Sequence, residues 1–174
     1  MPTSKLFLVD SDVFITAKNR YYAFDLCPGF WKSVIRRHAD GGVGSIDRVR
    51  AELLAGRKTE DLVLWVKSEV PATFFFDADQ DEVVEKFEEI MLWVQRSPQF
   101  TDGAKAKFAT AADGWLVAYA ATHAGAVVTN EQSAPNSRNN IKLPDVCDQF
   151  GVARADTFEM LRTLVVRFDW NEPQ

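Results

Sequence analysis

Two acidic residues of this sequence stand at the ends of short, continuously apolar runs. Asp10 directly follows residues 6–9 (LFLV), and Glu131 closes the segment 126–131 (AVVTNE). An unbroken apolar run is typical of a strand buried on both faces of a parallel sheet. Ligands of open parallel sheets bind beyond the carboxyl ends of the strands. We therefore expect Asp10 and Glu131 to meet at one sheet edge, with Asp12 beside them, although Asp10 could instead cap the following helix.

A third acid, Asp113, lies within AADGWLVAYAA, a helical stretch that is apolar on nearly every side. A buried carboxylate has to be paired, ligated or neutralised, because desolvating its charge is costly. Thr110 precedes Asp113 by three residues, which is also the spacing of a capping box at a helix start. The two roles are compatible if the helix begins near Thr110. Glu52, by contrast, lies on the flank of a predicted helix over 46–55, and periodicity gives it only the role of a solvated acid.

The elements that must position these acids alternate along the chain. Apolar runs predict buried strands at 6–9 and 126–129, with shorter strands at 43–45 and 141–143. Helices are predicted over 28–39, 46–55, 59–70 and 79–95, then in an alanine-rich stretch that ends at Gly125, and finally from Pro144 and over 157–166. Ser45 is the predicted N-cap of the second helix. Strands that alternate with helices indicate a three-layer α/β/α sandwich with a mainly parallel central sheet.

Four segments in this order resemble the PIN-domain nucleases. They are LFLVDSDVFI at 6–15, RAELLAG at 50–56, ADGWLVAYA at 112–120 and AVVTNE at 126–131. The family pattern is a strand followed by Asp-Ser/Thr-Asn, a helical Glu-Leu, an Asp that opens an apolar helix, and a strand that ends in Thr-Asn-Asp/Glu. The segments YYAFDLCPGFW, IKLPDVCDQFGV and TFEMLR are similar to a bacterial PIN branch often encoded beside an antitoxin.

This resemblance implies a metal-dependent endoribonuclease, the toxin of a type II toxin–antitoxin pair of the VapC kind, in a single domain over 1–174. By position it implies that Asp10, Glu52, Asp113 and Glu131 are the catalytic and metal-binding acids. Thr129 and Asn130 would support them. Asp12 replaces the usual Asn, and Glu131 replaces the commoner Asp. Asp145 is a further candidate, although Pro144-Asp145 also suits a helix start.

The chemistry of such a cluster agrees with the resemblance. Two carboxylates 4 Å apart repel each other by about 4 kcal/mol at an effective dielectric near 20, so four of them call for a divalent cation. Ligands that are all oxygen favour Mg²⁺ or Mn²⁺ over zinc. A metal-activated water then needs no histidine base. The sequence contains two histidines, His38 and His123, and neither is assigned a role.

The composition limits how RNA would be held. Among 174 residues, 25 are acidic and 20 basic, giving a net charge of −5, which excludes a protein that binds nucleic acid by bulk positive charge. The local basic candidates are Lys32, Arg36, Arg37, Arg48, Arg50, Arg57, Lys58, Lys105, Lys107, Arg138 and Lys142. Ordinary interspersed surface charge is the competing interpretation. Two cysteines far apart favour neither a zinc site nor a disulfide framework, and no apolar run approaches a membrane span, so we expect a cytoplasmic protein.

Two other functions remain open at this point. VDSDV also fits a phosphatase of the haloacid dehalogenase kind, with Asp10 as nucleophile and Asp12 as general acid, although its later Lys and acid pair would be crowded close to Thr129. A non-catalytic binding module with a PIN fold is the other. As partners we expect RNA, an antitoxin and a second copy of the chain. Aromatic candidates for an interface are Tyr21, Tyr22, Phe24, Phe30 and Trp31, with core packing as the alternative for most of them.

Overall fold

The structure is a computed structural model that describes residues 5–170; residues 1–4 and 171–174 of the predicted domain lie outside the described range. Within that range five strands form one parallel sheet in the order β3-β2-β1-β4-β5. The strands are β1 (Phe7–Val9), β2 (Val43–Ile46), β3 (Phe75–Phe76), β4 (Ala126–Val128) and β5 (Ala153–Ala155).

The centre of the sheet is β1, where Leu8 is in register with Gly44 of β2 on one side and with Val127 of β4 on the other. Strands β1, β2 and β4 are buried along their whole length. A parallel sheet with no exposed strand face needs helices on both sides. The three-layer α/β/α arrangement predicted from the alternation of elements is therefore confirmed.

Nine α-helices accompany the sheet in the part of the chain that the structure describes. They are α1 (Ser11–Thr16), α2 (Pro28–Ala39), α3 (Asp47–Leu54), α4 (Asp61–Ser68), α5 (Asp81–Arg96), α6 (Asp102–Thr110), α7 (Asp113–Thr122), α8 (Leu143–Gln149) and α9 (Thr157–Thr163). A π-helical turn, Ala17–Tyr21, directly follows α1, and a 3-10 turn, Ala72–Phe74, precedes β3. Among residues 5–170, no helix combines the length and the apolar character needed to cross a bilayer.

The apolar side chains of α5, the helix predicted over 79–95, pack inward. Val83, Ile90 and Val94 of α5 are fully buried, and Phe87 stacks on Trp115 of α7 with ring centroids 3.8 Å apart. The aromatic residues near the N-terminus, proposed above as interface candidates, do not all lie at the surface. Phe30 and Trp31 belong to the core, whereas Tyr21 is 58% exposed. Core packing is therefore the role of the first two.

Three local predictions are wrong for identifiable reasons. Residues 141–143 form no strand, because α8 already begins at Leu143. Ser45 is not an N-cap; it lies inside β2, where its hydroxyl donates to the carbonyl of Val9 over 2.6 Å. Thr110 ends α6 and donates to carbonyls of its own helix, so the proposed capping box with Asp113 does not exist. The alanine-rich stretch is two helices with a break at residues 111 and 112.

Candidate functional site

Asp10 lies where β1 ends, and the neighbouring β4 brings its own polar end to the same edge. The backbone N–H of Asp10 donates to the carbonyl of Val128 over 3.0 Å, so the sheet ladder continues into the acidic residue. The side chain of Asp10 is 4% exposed. Its Oδ2 accepts a 3.2 Å hydrogen bond from the hydroxyl of Thr129, and that hydroxyl accepts the backbone N–H of Glu131 at 3.2 Å. One threonine thus links two of the predicted acids.

Glu52 reaches the same edge from α3. Its Oε2 accepts the hydroxyl of Ser11, the neighbour of Asp10, over 2.7 Å. Its Oε1 accepts the backbone N–H of Ala112, the neighbour of Asp113, over 2.9 Å. The side chain that periodicity assigned to solvent therefore joins the start of α1 to the start of α7. These two contacts bridge 41 and 60 residues of sequence.

The remaining two acids extend the group toward α8. Oε2 of Glu131 accepts the backbone N–H of Leu143, the first residue of α8, over 3.1 Å. Asp113 is the first residue of α7 and only partly exposed. In the described part of the chain no hydrogen bond reaches the partly exposed Asp113 carboxylate. The carboxylate is thus left available to a ligand.

The charges of these carboxylates act on one another. Burial, together with the charges of Asp113, Asp12, Glu131 and Glu52, raises the pKa of Asp10 to about 8. Burial also raises the pKa of Asp113, which reaches about 7 with the added effect of Glu131 and Glu52 and the opposing effect of Lys107 and Lys142. Two carboxyl groups whose ionisation is opposed by burial and by neighbouring acids are typical of a cation-binding or catalytic site.

A small cavity of about 80 Å³ opens beside Asp113 and Glu131. Lys107 of α6 and Lys142, just before α8, line its wall, and neither forms an ion pair within residues 5–170. Several other basic candidates are engaged elsewhere. Arg36 and Arg37 pair with Asp40, Arg48 pairs with Asp47 and Asp79, and Lys105 donates to the carbonyl of Gln95.

The supporting candidates occupy three different positions. Asp12 lies in the first turn of α1, and its Oδ1 accepts the hydroxyl of Thr16 at 3.3 Å. Oδ1 of Asn130 accepts the hydroxyl of Thr157, the first residue of α9, at 2.8 Å. Asp145 binds the loop before α8 through the hydroxyl of Ser133 and the backbone N–H of Ala134. Its charge is not among those that raise the pKa of Asp10 or Asp113.

The donor set fits a hard divalent cation in its chemistry, because it consists of carboxylate oxygens with a threonine hydroxyl beside them. Among residues 5–170, however, the three-acid group whose oxygens lie within 4.8 Å of one another is Asp47, Asp77 and Asp79. The guanidinium of Arg48 binds Asp47 and Asp79 there, each over 2.7 Å. That second cluster therefore already contains its own cation, unlike the cluster around Asp10.

Sequence reasoning did not single out Ser11, although it sits at the Asp-Ser-Asp step after β1. Its hydroxyl lies 2.7 Å from Glu52 Oε2 and 3.4 Å from Asp10 Oδ1, so the shorter contact holds the proton. The signal was present in the segment VDSDV. It was not decisive because a serine after a strand end is also an ordinary turn residue.

The sheet, its helical layers and the acids beyond β1 and β4 define a PIN-like α/β fold. A chain of a solved structure described as "Structure of FitAB bound to IR36 DNA fragment" matches this one with a TM-score of 0.53 and 18% sequence identity. The match covers 86% of this chain and 94% of that chain, and at this identity it shows the fold alone. Over residues 7–168 the chain belongs to the family described as a domain of unknown function, DUF4411. No curated protein matches the sequence.

Proposed function

We propose that this protein is an endoribonuclease that depends on Mg²⁺ or Mn²⁺, and that it acts as the toxin of a type II toxin–antitoxin pair. The proposed catalytic unit is a single PIN-like domain over 1–174. One observation carries the proposal. Asp10, Glu52, Asp113 and Glu131 come from four separate segments of the chain, and hydrogen bonds at Ser11, Ala112 and Thr129 connect those segments, with Asp113 reached through its neighbour Ala112.

The four acids and Thr129 have different proposed roles. Asp10 and Asp113 are the buried carboxylates whose ionisation the protein opposes, so they gain most from a bound cation. Glu52 and Glu131 each use one oxygen to accept a backbone N–H at a helix start, which fixes their direction toward the pair. Thr129 orients Asp10 by donating to Oδ2. A bound Mg²⁺ or Mn²⁺ would supply an activated water and stabilise charge on the scissile phosphate.

Lys107 and Lys142 supply the positive charge that an acidic protein needs locally. Both line the cavity beside Asp113 and Glu131, and both act electrostatically on Asp113. A phosphate of the RNA backbone in that cavity would meet two ammonium groups without having to break an existing ion pair. Recognition of RNA therefore rests on local charge and the cation rather than on the net charge of the molecule.

The partner proteins are a separate part of the proposal. The resemblance to PIN toxins implies an antitoxin, and the matched solved structure is itself of FitAB bound to DNA. We propose that an antitoxin covers the acidic edge of the sheet, and that the chain forms a homodimer in the cytoplasm. Co-purification of the chain with the product of a neighbouring reading frame and sedimentation of the isolated protein test these two statements.

The nuclease activity is tested with a labelled single-stranded RNA and a titration of Mg²⁺ and Mn²⁺. We expect Asp10→Asn and Asp113→Asn to lower the cleavage rate at least about 100-fold, because several kcal/mol of transition-state stabilisation depend on the cation. Asp148→Asn is the matched control, since Asp148 is exposed and pairs with Arg154 on the surface. Full activity in either site variant, with the fold intact, would show that these acids do not form the active site.

Glu52 and Asp12 separate the nuclease from a phosphatase. If the protein is a nuclease, Glu52→Gln abolishes RNA cleavage and no phosphate monoester is hydrolysed. In a phosphatase of the haloacid dehalogenase kind, Asp12→Asn would stop turnover of the monoester and Glu52→Gln would be harmless. The hydrogen bonds of Glu52 to Ser11 and Ala112, beside two of the acids, favour the nuclease. A non-catalytic module would show neither activity at any metal concentration.

A further inference from the structure

Two exposed aromatic side chains line a cleft separate from the cavity that contains Lys107 and Lys142. Tyr21 is 58% exposed and Phe158 is 45% exposed, yet their ring centroids lie 6.0 Å apart in an edge-to-face arrangement. The guanidinium of Arg162 lies 6.0 Å from the Phe158 ring on α9. We call Tyr21 and Phe158 the aromatic platform. Large aromatic side chains held side by side in solvent are suited to stacking a planar ligand.

The platform forms part of a cleft of about 360 Å³, within the range of about 300–1,000 Å³ typical of ligand sites. The residues that line it with the platform are Asp12, Thr16, Arg20, Asn130, Gln132 and Asp156. Two of these connect the cleft to the proposed active site. Asp12 follows Asp10 by two residues, and Asn130 lies between Thr129 and Glu131. A strand of nucleic acid at the acids would therefore pass this cleft.

The position of Tyr21 depends on an unusual backbone turn. The segment Ala17–Tyr21 is π-helical, and the N–H of Tyr22 donates to the carbonyl of Ala17 over 2.7 Å. Single π turns are rare and occur often at functional sites. The wider turn ends at Tyr22, whose ring stacks on the buried Phe30 with centroids 4.4 Å apart. The partly buried Tyr22 thus anchors the segment to the core, and its neighbour Tyr21 is left exposed beside Phe158.

The charges in the cleft exclude a phosphate as its natural occupant. Asp12 and Asp156 place two negative charges there against the single positive charge of Arg20. A neutral planar group with polar edges is suited to this lining. Gln132 and Asn130 carry amides, and the Asn130 oxygen already accepts from Thr157, which leaves its NH₂ as a donor. Amide and carboxylate groups around an aromatic surface match the hydrogen-bonding edges of an unpaired base.

The same lining distinguishes the cleft from a protein-docking surface. Apart from the two platform residues, all six residues that line the cleft carry amide, hydroxyl or charged side chains. The centre of a protein interface is depleted of charged residues, whereas here they surround the aromatic rings. An RNA base can stack on the aromatic rings and form hydrogen bonds with the polar side chains around them.

We infer that the aromatic platform binds an unpaired base of a single-stranded RNA, next to the phosphate that lies at the acidic cluster. The inference rests on the proposed nuclease function and adds to it a position for one base, the cleft at Tyr21 and Phe158. Double-stranded RNA would keep its bases paired and leave the platform unused. Sequence preference would come from Asp12, Asn130 and Gln132 at the edge of the stacked base.

Binding is measured by fluorescence anisotropy with a short labelled single-stranded RNA at low ionic strength, with Ca²⁺ in place of Mg²⁺ or Mn²⁺ so that the acidic cluster holds a cation while cleavage is suppressed. We expect Tyr21→Ala and Phe158→Ala each to weaken binding about 5- to 100-fold, the effect of one lost base–aromatic stack. Tyr21→Phe keeps the ring and should bind like the wild type. Leu92→Ala, which removes a comparably exposed apolar side chain from α5, is the matched control. Thermal melting confirms that each variant is folded.

A second arm uses RNA in which one nucleotide at a time lacks its base. At one position the abasic RNA should bind wild-type protein as weakly as intact RNA binds Tyr21→Ala, and combining the two changes should add little further loss. The inference is overturned if both alanine variants keep full affinity, or if Tyr21→Ala weakens intact and abasic RNA equally at every position. It is also overturned if the variants alter only sedimentation of the protein, which would identify a protein contact.

The two proposals fail separately in this design. Platform variants that lose RNA affinity, in a protein that never cleaves RNA with Mg²⁺ or Mn²⁺, would refute the nuclease and retain the base site. Cleavage that depends on Asp10 but is unchanged in the Tyr21 and Phe158 variants would support the nuclease and refute the base site.

Discussion

Replacement of Asp10 by asparagine should stabilise the protein when no divalent cation is present. An ordinary Asp carboxyl ionises near pH 3.8, whereas burial and the neighbouring acids together raise the pKa of Asp10 to about 8 in the folded chain. Between these two values the folded state holds one more proton than the unfolded state. The free energy of unfolding therefore falls as pH rises from about 4 to about 8, and it becomes level above that.

The size of the effect follows from the shift. A difference of about 4 pKa units, at about 1.4 kcal/mol each, gives an upper limit of about 6 kcal/mol for the cost of ionising Asp10 in place. Relaxation of the neighbouring acids reduces this cost, so we expect Asp10→Asn to gain about 2–4 kcal/mol at pH 8.5. Asn keeps the size of the side chain and an oxygen that accepts the hydroxyl of Thr129. Near pH 4 the gain should vanish.

The free energy of unfolding is measured with urea in EDTA at about pH 4.5, 6.5 and 8.5, values that span the interval between the ordinary and the raised pKa of Asp10. Asp148→Asn is again the control, because Arg154 holds the pKa of Asp148 below its ordinary value and its contribution does not change in this range. Mg²⁺ should raise the stability of the wild type most at the highest pH and should have little effect on Asp10→Asn. A variant less stable than wild type at pH 8.5 in EDTA would refute the reasoning.

Three further outcomes are expected. Gly44→Ala should cost about 1–3 kcal/mol in urea unfolding, since its Cβ would lie 2.5 Å from the ring of Phe76; an unchanged midpoint would contradict this. A thiol reagent at pH 8 should modify the half-buried Cys27 well before Cys147, whose pKa burial raises to about 12; mass spectrometry of the digest reads the order. Lys107→Ala should weaken RNA binding and lower its salt dependence by about one unit of slope, and an unaltered slope would remove it from the phosphate contacts.

The parts of the fold that the sequence predicts are those with strong local patterns. The apolar runs around Leu8 and Val127 indicate β1 and β4 without any tertiary information, and they bring Asp10 to the correct sheet edge. β5 was missed because its three residues, 153–155, include two alanines and an arginine, which have no strand preference. At residues 141–143 the sequence predicts a strand that does not form, because the buried Ile141 lies in a loop that leads into α8.

Glu52 shows why periodicity does not reveal a site. Its position on the helix surface is that of a solvated acid, and the structure indeed leaves the residue exposed. Its place in the cluster comes from contacts with Ser11 and Ala112, which are remote in sequence. A pattern confined to one helix carries no information about what the helix faces. The similarity to PIN nucleases supplied that information because it compares the whole order of motifs.

The pairing of β1 with β4 has a consequence for the synthesis of the protein. Asp10 and Thr129 are hydrogen-bonded although 119 residues separate them, and the sheet is completed only by β5. A ribosome-bound chain that ends before these strands emerge contains Asp10, Glu52 and Asp113 but has no framework to hold them together. Contacts so distant along the chain form late and slowly. Under the proposed nuclease function, a growing polypeptide of this design has no assembled acidic site until its last third has been translated.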